Sequence, residues 1–317
     1  MKILITGATG FVMANLARHL AERGHAVVAA DLNPPDEALG AFFAGLTGGV
    51  TFRPLDTTDG GAVRALVEET RPERTVHGAA ITAIPLDAER ARFRRTAEVN
   101  VMGTLNVLEA LRGRSGRIVV VSSGSVYGPR PDTTPISEDD ANAPEHVYPI
   151  TKWAADALAR RFAEIHAVDL AVVRLASPFG PFERDTGSRP LLSPMQHWAG
   201  AALRGEAIRV AGPPTQLRDL VHVADVASGI ATVLLADRLE HDVYNVGWGR
   251  GTTAQETLEA LARLVPGLRF AFVPHETPPW ATRGPLACER LRALGWRPQY
   301  DLASGLAAYL DWLRETR

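Results

Sequence analysis

The stretch Lys2-Ile-Leu-Ile-Thr-Gly-Ala-Thr-Gly-Phe-Val-Met-Ala-Asn-Leu-Ala-Arg-His-Leu20 constrains this chain more than any other. Ile3 to Ile5 form a short apolar run of the kind found in strands buried on both faces, and Leu16 and Leu20 recur at helical spacing after Gly7 and Gly10. The pattern predicts strand, tight turn, helix. Glycines let the turn bend and the backbone approach a ligand, while the N–H groups at the helix start suit an anion such as a pyrophosphate. Parallel sheets hold dinucleotides this way. Gly-x-x-Gly alone is a weak signal, because plain structural turns carry it too.

Context strengthens it. A second apolar run, Ala26 to Ala30, ends at Asp31, where an acid accepts hydrogen bonds from a ribose diol; a solvated residue at a strand end is the alternative. Nothing basic lies between Leu32 and Glu37, so NAD is expected rather than NADP. Val50 to Pro54 predicts a third strand, and Asp56 beyond it is either an adenosine contact or a helix N-cap. Thr75 to Ala80 predicts a fourth strand with a small-residue exit, flanked by helical periodicity over Asp59 to Arg71 and, interrupted once, over Ala88 to Arg112. Asn100 falls inside that last segment, where such a residue faces solvent or reaches a neighbouring carbonyl. The run from Arg117 ends in Ser122 and Ser123 as the fifth and central strand.

Strands separated by helices require right-handed parallel crossovers, hence an α/β fold with a doubly wound parallel sheet. Tyr148 to Lys152 opens a helix reaching about His166, and Ala171 to Leu175 is a sixth apolar run. From there to Leu217 the alternation fades, returning with Arg218 to Val223, a helix over Val226 to Ala236, and Val243 to Gly247. Thr253 to Leu264 and Leu302 to Leu313 are further helical patterns. The expected division is a dinucleotide-binding domain over 1–176, to which 219–247 returns, and a smaller C-terminal substrate lobe from 177–218 and 248–317.

Composition excludes several classes. A net charge of −2 and a pI near 6.5 offer no field for nucleic acid or an anionic membrane surface. No apolar stretch approaches a membrane span, and a strand beginning at residue 2 leaves no room for a signal peptide. The single Cys288 rules out an intramolecular disulfide, and the nine His show no metal-binding spacing, so no metal and a cytoplasmic location are expected.

Tyr148 and Lys152, four apart, share a helix face. A phenol titrates near 10, too high for a base at neutral pH; an adjacent ammonium and a nicotinamide cation would pull it down, so that the phenolate takes a proton from a secondary alcohol. Ser123 would orient that hydroxyl. Singly, each residue has an ordinary explanation, as a solvated helix pair or a strand-end cap.

Together with Thr6-Gly-Ala-Thr-Gly10-Phe, Asp31, Asp56, His77-Gly-Ala-Ala80, Asn100, Gly103 to Ala110, Ser122-Ser-Gly-Ser-Val-Tyr-Gly128, Tyr148 to Lys152, Arg174, Pro178-Phe-Gly-Pro181, Arg218-Asp219, His222-Val223, Tyr244-Asn-Val-Gly247 and Leu294-Gly-Trp296, these residues span nearly the whole chain. The sequence resembles an extended short-chain dehydrogenase/reductase of the NAD-dependent epimerase/dehydratase family. The resemblance implies a catalytic set of Ser123, Tyr148 and Lys152. It implies cofactor contacts from Gly7, Gly10, Phe11, Val12, Asp31, Leu32, Asp56, Thr57, Ala79, Ala80, Asn100, Ser122, Tyr148, Lys152 and Pro178, and substrate contacts from Ser123, Ser125, Ser177 and Arg218. Arg218 would bind a substrate phosphate, with an interlobe ion pair as the alternative.

Three departures qualify it. Met13 stands where the family has its third glycine, Ser177 stands where an Asn contacts the sugar nucleotide, and Gly124 and Ser125 replace the acidic pair of sugar dehydratases. The last argues against elimination of water. The expected activity is a nucleotide-diphosphate-sugar (UDP-sugar) 4-epimerase; NAD-dependent oxidation of a free sugar, uronate or sugar acid, and a non-catalytic dinucleotide-binding sensor or scaffold, are the alternatives. The resemblance further implies a homodimer pairing helices around residues 95–112 and 150–166.

Overall fold

Short apolar runs alternating with helical segments build a parallel sheet in the computed structural model, which describes residues 1–82, 84, 86–130, 133–189, 192–274 and 283–316. The chain runs β1 (Lys2–Thr6), α1 (Phe11–Glu22), β2 (Ala26–Asp31), α2 (Glu37–Phe43), β3 (Val50–Pro54), α3 (Gly60–Thr70), β4 (Arg74–His77), α4 (Leu86–Ala97), a π-helical turn (Glu98–Met102), α5 (Gly103–Leu111), β5 (Ile118–Ser123) and α6 (Val147–His166). It continues β6 (Leu170–Leu175), β7 (Ser177–Phe179), α7 (Pro194–Leu203), β8 (Ile208–Ala211), β9 (Leu217–Arg218), β10 (Leu220–His222), α8 (Val223–Leu235), β11 (Val243–Val246), β12 (Thr252–Thr253), α9 (Ala254–Leu264), β13 (Phe270–Val273), α10 (Glu289–Ala293) and α11 (Leu302–Glu315).

Seven strands lie in the order β11-β6-β5-β4-β1-β2-β3, all parallel. The central strand is therefore β4, with β5 beside it, a one-place correction to the sequence reading. Strand order reverses between β1 and β4, where Thr6 pairs with His77, and the crevice at the carboxyl ends of these two strands is where open α/β sheets take ligands.

The two-residue period of buried strands explains the apolar runs. Ile3, Ile5, Val119 and Val121 point into a core under α1 and α8, while Leu4, Ile118 and Val120 point into another under α3, α5 and α6. A third apolar cluster gathers Met195 of α7, Ile208 of β8, Leu258 and Leu261 of α9, and Leu306 and Tyr309 of α11.

The segment that lost its alternation thus holds α7, capped by Ser193 with Pro194 behind it, and β8, which pairs with β13 across a long separation in sequence. Helix α8 starts at Val223, ahead of the expected Val226, because the His222 side chain accepts from Ala224 N. Among the described residues no helix is long and apolar enough to cross a membrane, and no cluster of His, Cys, Asp and Glu could hold a metal ion.

Candidate active site

The glycine turn forms first. Gly7 has φ +73°, and a Cβ there would stand 2.6 Å from Ala79 N, so the β1–α1 turn and the β4 exit meet at a distance only glycine allows. Gly10 caps α1, whose first turn carries no acid. Met13 is buried at 3% exposure and fills the space left by Gly78: a Cβ on Gly78 would lie 2.4 Å from the Met13 sulfur. The glycine absent from the helix is thus supplied by the loop that leaves the facing strand, and Met13 lines the crevice without plugging it.

The acids behave differently from one another. Asp31 accepts from Thr9 N at 3.0 Å and Asn33 N at 3.3 Å, bracing the turn from β2, and Leu32 beyond it is exposed. Asp56 caps no helix; that role belongs to Asp59, which accepts from Gly61 and Ala62. Burial pushes the Asp56 carboxyl up, but bonds from Thr58 and from Arg95 at 2.9 Å outweigh it and hold the group low. Thr57 is buried, its carbonyl taken by Asn106. Asn100 is spent as a brace: its Oδ1 accepts from Ile81 N at 2.8 Å, and its amide donates to Ile81 O at 3.1 Å and Thr151 Oγ1 at 2.9 Å. The π-helical turn turns this side chain inward toward the loop after β4.

At the end of β5, Ser123 Oγ accepts from Ser125 N at 3.2 Å and Ser125 Oγ at 2.9 Å. Helix α6 begins where Glu89 accepts from Val147 N at 2.8 Å, so α4 fixes the turn that carries Tyr148. The Tyr148 phenol is hydrogen-bonded with Ser123 and Thr82. Burial pushes it above its ordinary value, opposed first by Arg189 and then by those two hydroxyls. Arg189, brought in from the chain after β7, is a cation beside Tyr148 that the sequence reading did not name. Lys152 is 3% exposed and burial lowers it to about 8, countered by Asp156 one turn along. Asp156 itself is wholly buried between Arg160 at 2.9 Å and Arg174 at 2.9 Å.

At the far end stand Arg218 of β9 and Arg283. Burial, then Arg283, lowers Arg218 to about 10, and Arg283 donates to Gly124 O at 2.6 Å. Asp219 beside them is pushed up to about 6 by burial, against the N–H groups of Leu286, Trp248 and Gly249 that it accepts.

One cavity of about 480 Å³ joins these ends, within the range of small-ligand sites. Of the residues named from the sequence, it is lined by Gly7, Gly10, Phe11, Val12, Ala80, Ser122, Ser123, Ser125, Tyr148, Lys152, Ser177, Pro178 and Arg218. Asp31, Leu32, Asp56, Thr57, Ala79 and Asn100 lie behind or beside that lining. Thr82, Arg189 and Arg283 line it unannounced, from loops that carry no local pattern. The site fits a dinucleotide: the glycine cradle leaves room for a backbone-hugging ligand, α1 offers an N-terminus free of acid, and Ser122 Oγ is buried without a partner among the described residues.

Residues 3–247 match the profile of the NAD dependent epimerase/dehydratase family. The chain is 30% identical to a UDP-glucose 4-epimerase of Mycolicibacterium smegmatis, covering 99% of both chains. It is 29% identical to a dTDP-glucose 4,6-dehydratase of Xanthomonas campestris pv. campestris, covering 98% of this chain and 92% of the relative. Among solved structures, the UDP-glucose 4-epimerase of Thermus thermophilus in complex with NAD superposes with a TM-score of 0.84 at 26% identity, over 100% of each chain.

Proposed function

The chain belongs to the NAD dependent epimerase/dehydratase family, and on that premise we propose that it is a nucleotide-diphosphate-sugar 4-epimerase, with a UDP-sugar as substrate. The observation that carries this reading is the pair Arg218 and Arg283. Two guanidiniums drawn into one crevice, Arg283 close enough to weaken Arg218's hold on its proton, are matched by a diphosphate and not by a neutral free sugar. Gly124 and Ser125 set no carboxylate beside Ser123, which favours return of the hydride over loss of water.

NAD supplies a hydride acceptor and donor at the sugar carbon. The rest is the work of side chains. Tyr148 takes the proton of the C4 hydroxyl and gives it back to the ketone from the same position, while Ser123 orients that oxygen. Arg189 supplies positive charge that favours the phenolate, Lys152 shares the helix face of Tyr148, and Asp156, held by Arg174, keeps Lys152 charged against its burial.

A second reading, oxidation of a uronate or sugar acid with release of NADH, is favoured by Ser177 in place of the family Asn. Retention of Tyr148 and Lys152 in the cavity wall speaks against a mere sensor or scaffold. We further propose that residues 177–218 and 248–317 act as the substrate-binding lobe. A homodimer is proposed on the exposed apolar residues Phe93 and Met102 together with Ile150, Trp153, Leu158 and Ile165 of α6.

The test is to purify the protein, measure bound dinucleotide, and add UDP-glucose or UDP-galactose. Interconversion without accumulation of NADH, abolished in Tyr148→Phe, is expected. Stoichiometric NADH from a sugar acid would select the second reading, and turnover undiminished in Tyr148→Phe would overturn both.

A further inference from the structure

Residues 181–189 cross the mouth of the crevice as a strap tied to both banks. On one side Asn15 of α1 donates to Pro181 O at 3.0 Å, Phe182 packs with Ala14 and Leu39, and Arg184 pairs with Asp36, the N-cap of α2. On the other, Ser188 O accepts from Thr82 N at 2.8 Å and Gly187 O accepts from Arg92 of α4. Phe182 is held at φ +67°, a conformation that costs energy for a residue with a side chain and persists only where its surroundings enforce it.

Arg189 hangs from the end of this strap. The Glu183 carboxylate, buried completely, accepts from Arg189 Nη2 at 2.8 Å and also from Ser193 N and Oγ, so one edge of the guanidinium is fixed. Its Cζ stands 5.7 Å from the ring centroid of Phe11, the first residue of α1. Its Nε is buried and has no hydrogen-bond partner among the described residues, an expensive state for a donor. A guanidinium anchored on one edge, with a donor left over, beside the first residue of a helix without an acid in its first turn, is placed to share an anion with that N-terminus.

We propose that Arg189 is a cofactor-binding residue that clamps the strap over the dinucleotide, its guanidinium taking a pyrophosphate oxygen that the N-terminus of α1 also holds. NAD then leaves only when the strap releases its banks. The inference rests on the NAD dependence of the family and not on the identity of the sugar, so failure of the epimerase reading leaves it standing.

The experiment measures NAD affinity and release rate on the full chain without any sugar. Arg189→Gln strands the buried Glu183, so the double variant Glu183→Gln/Arg189→Gln, which removes both charges, is compared with it, and Arg189→Lys restores a cation without the fork. Both Gln variants should bind NAD about tenfold to a hundredfold more weakly, the loss of one charge-assisted hydrogen bond, with partial recovery in Arg189→Lys. Wild-type NAD affinity in the double variant would overturn the proposal. So would unchanged NAD binding combined with a selective loss of turnover on a uronate, which would reassign Arg189 to a substrate carboxylate.

Discussion

The packing of Met13 against Gly78 makes a quantitative prediction. Truncation in Met13→Ala empties a buried site and should cost about 2–5 kcal/mol. Gly78→Ala adds a Cβ within 2.4 Å of the Met13 sulfur and 2.5 Å of its Cγ; Gly78 is not among the positive-φ glycines, so the penalty is crowding alone, about 1–3 kcal/mol. In the double variant the new methyl enters space the truncation has vacated. Its cost should therefore fall below the sum of the two by about 1–3 kcal/mol. Urea unfolding followed by the fluorescence of the six Trp residues, with the cofactor stripped from all four proteins, reads each term. Costs that add to within about 0.5 kcal/mol would show that the two residues do not compensate one another.

Other perturbations follow from the same geometry. Gly7→Ala combines a left-handed φ with a Cβ 2.6 Å from Ala79 N, and should abolish NAD binding; a titration matching wild type would contradict this. His77 is buried between Thr6 Oγ1 at 2.7 Å and Thr104 Oγ1 at 3.0 Å, and burial, then Lys152, lowers it to about 3. The unfolded chain binds this proton below the ordinary value of 6.5 and the native chain does not, so stability falls as pH drops from 6.5 toward 3, by about 1.4 kcal/mol per pH unit. Asp219, raised to about 6, binds its proton more tightly in the native state and opposes that slope between 6 and 3.8. His77→Gln should flatten the acid side of the profile; an unaltered profile would refute the assignment. A charge at Trp153 or Phe93, both exposed apolar residues, should leave the chain monomeric by light scattering, and a wild-type mass would sink the proposed dimer.

Much of this was legible in the residues. The strand, turn and helix at the amino terminus, the start of α6 and the serines ending β5 declare themselves through local period and spacing, because a buried parallel strand needs a continuous apolar run. What escaped depends on contacts distant in sequence. Arg189 and Arg283 sit in Pro- and Arg-rich loops, and only the fold carries them to Tyr148 and Arg218. The partner of Asp56 is likewise invisible in the local pattern, since Arg95 reaches it from 39 residues later. Strands β8 and β13 are too short to signal alone and exist by pairing with each other.

The wider turn at Glu98–Met102 makes the spacing of this helical stretch a matter of length as well as identity. Removing one residue there would let the backbone relax into an ordinary turn, re-aiming the side chains inside it while the helix on either side keeps its phase. The Asn100 amide would swing off Ile81 and Thr151, and the loop beneath the reacting hydroxyls would lose its prop. Apart from Asn100 itself, a chain of this design can therefore tolerate changes of side chain along the stretch more readily than the loss of a single position from it.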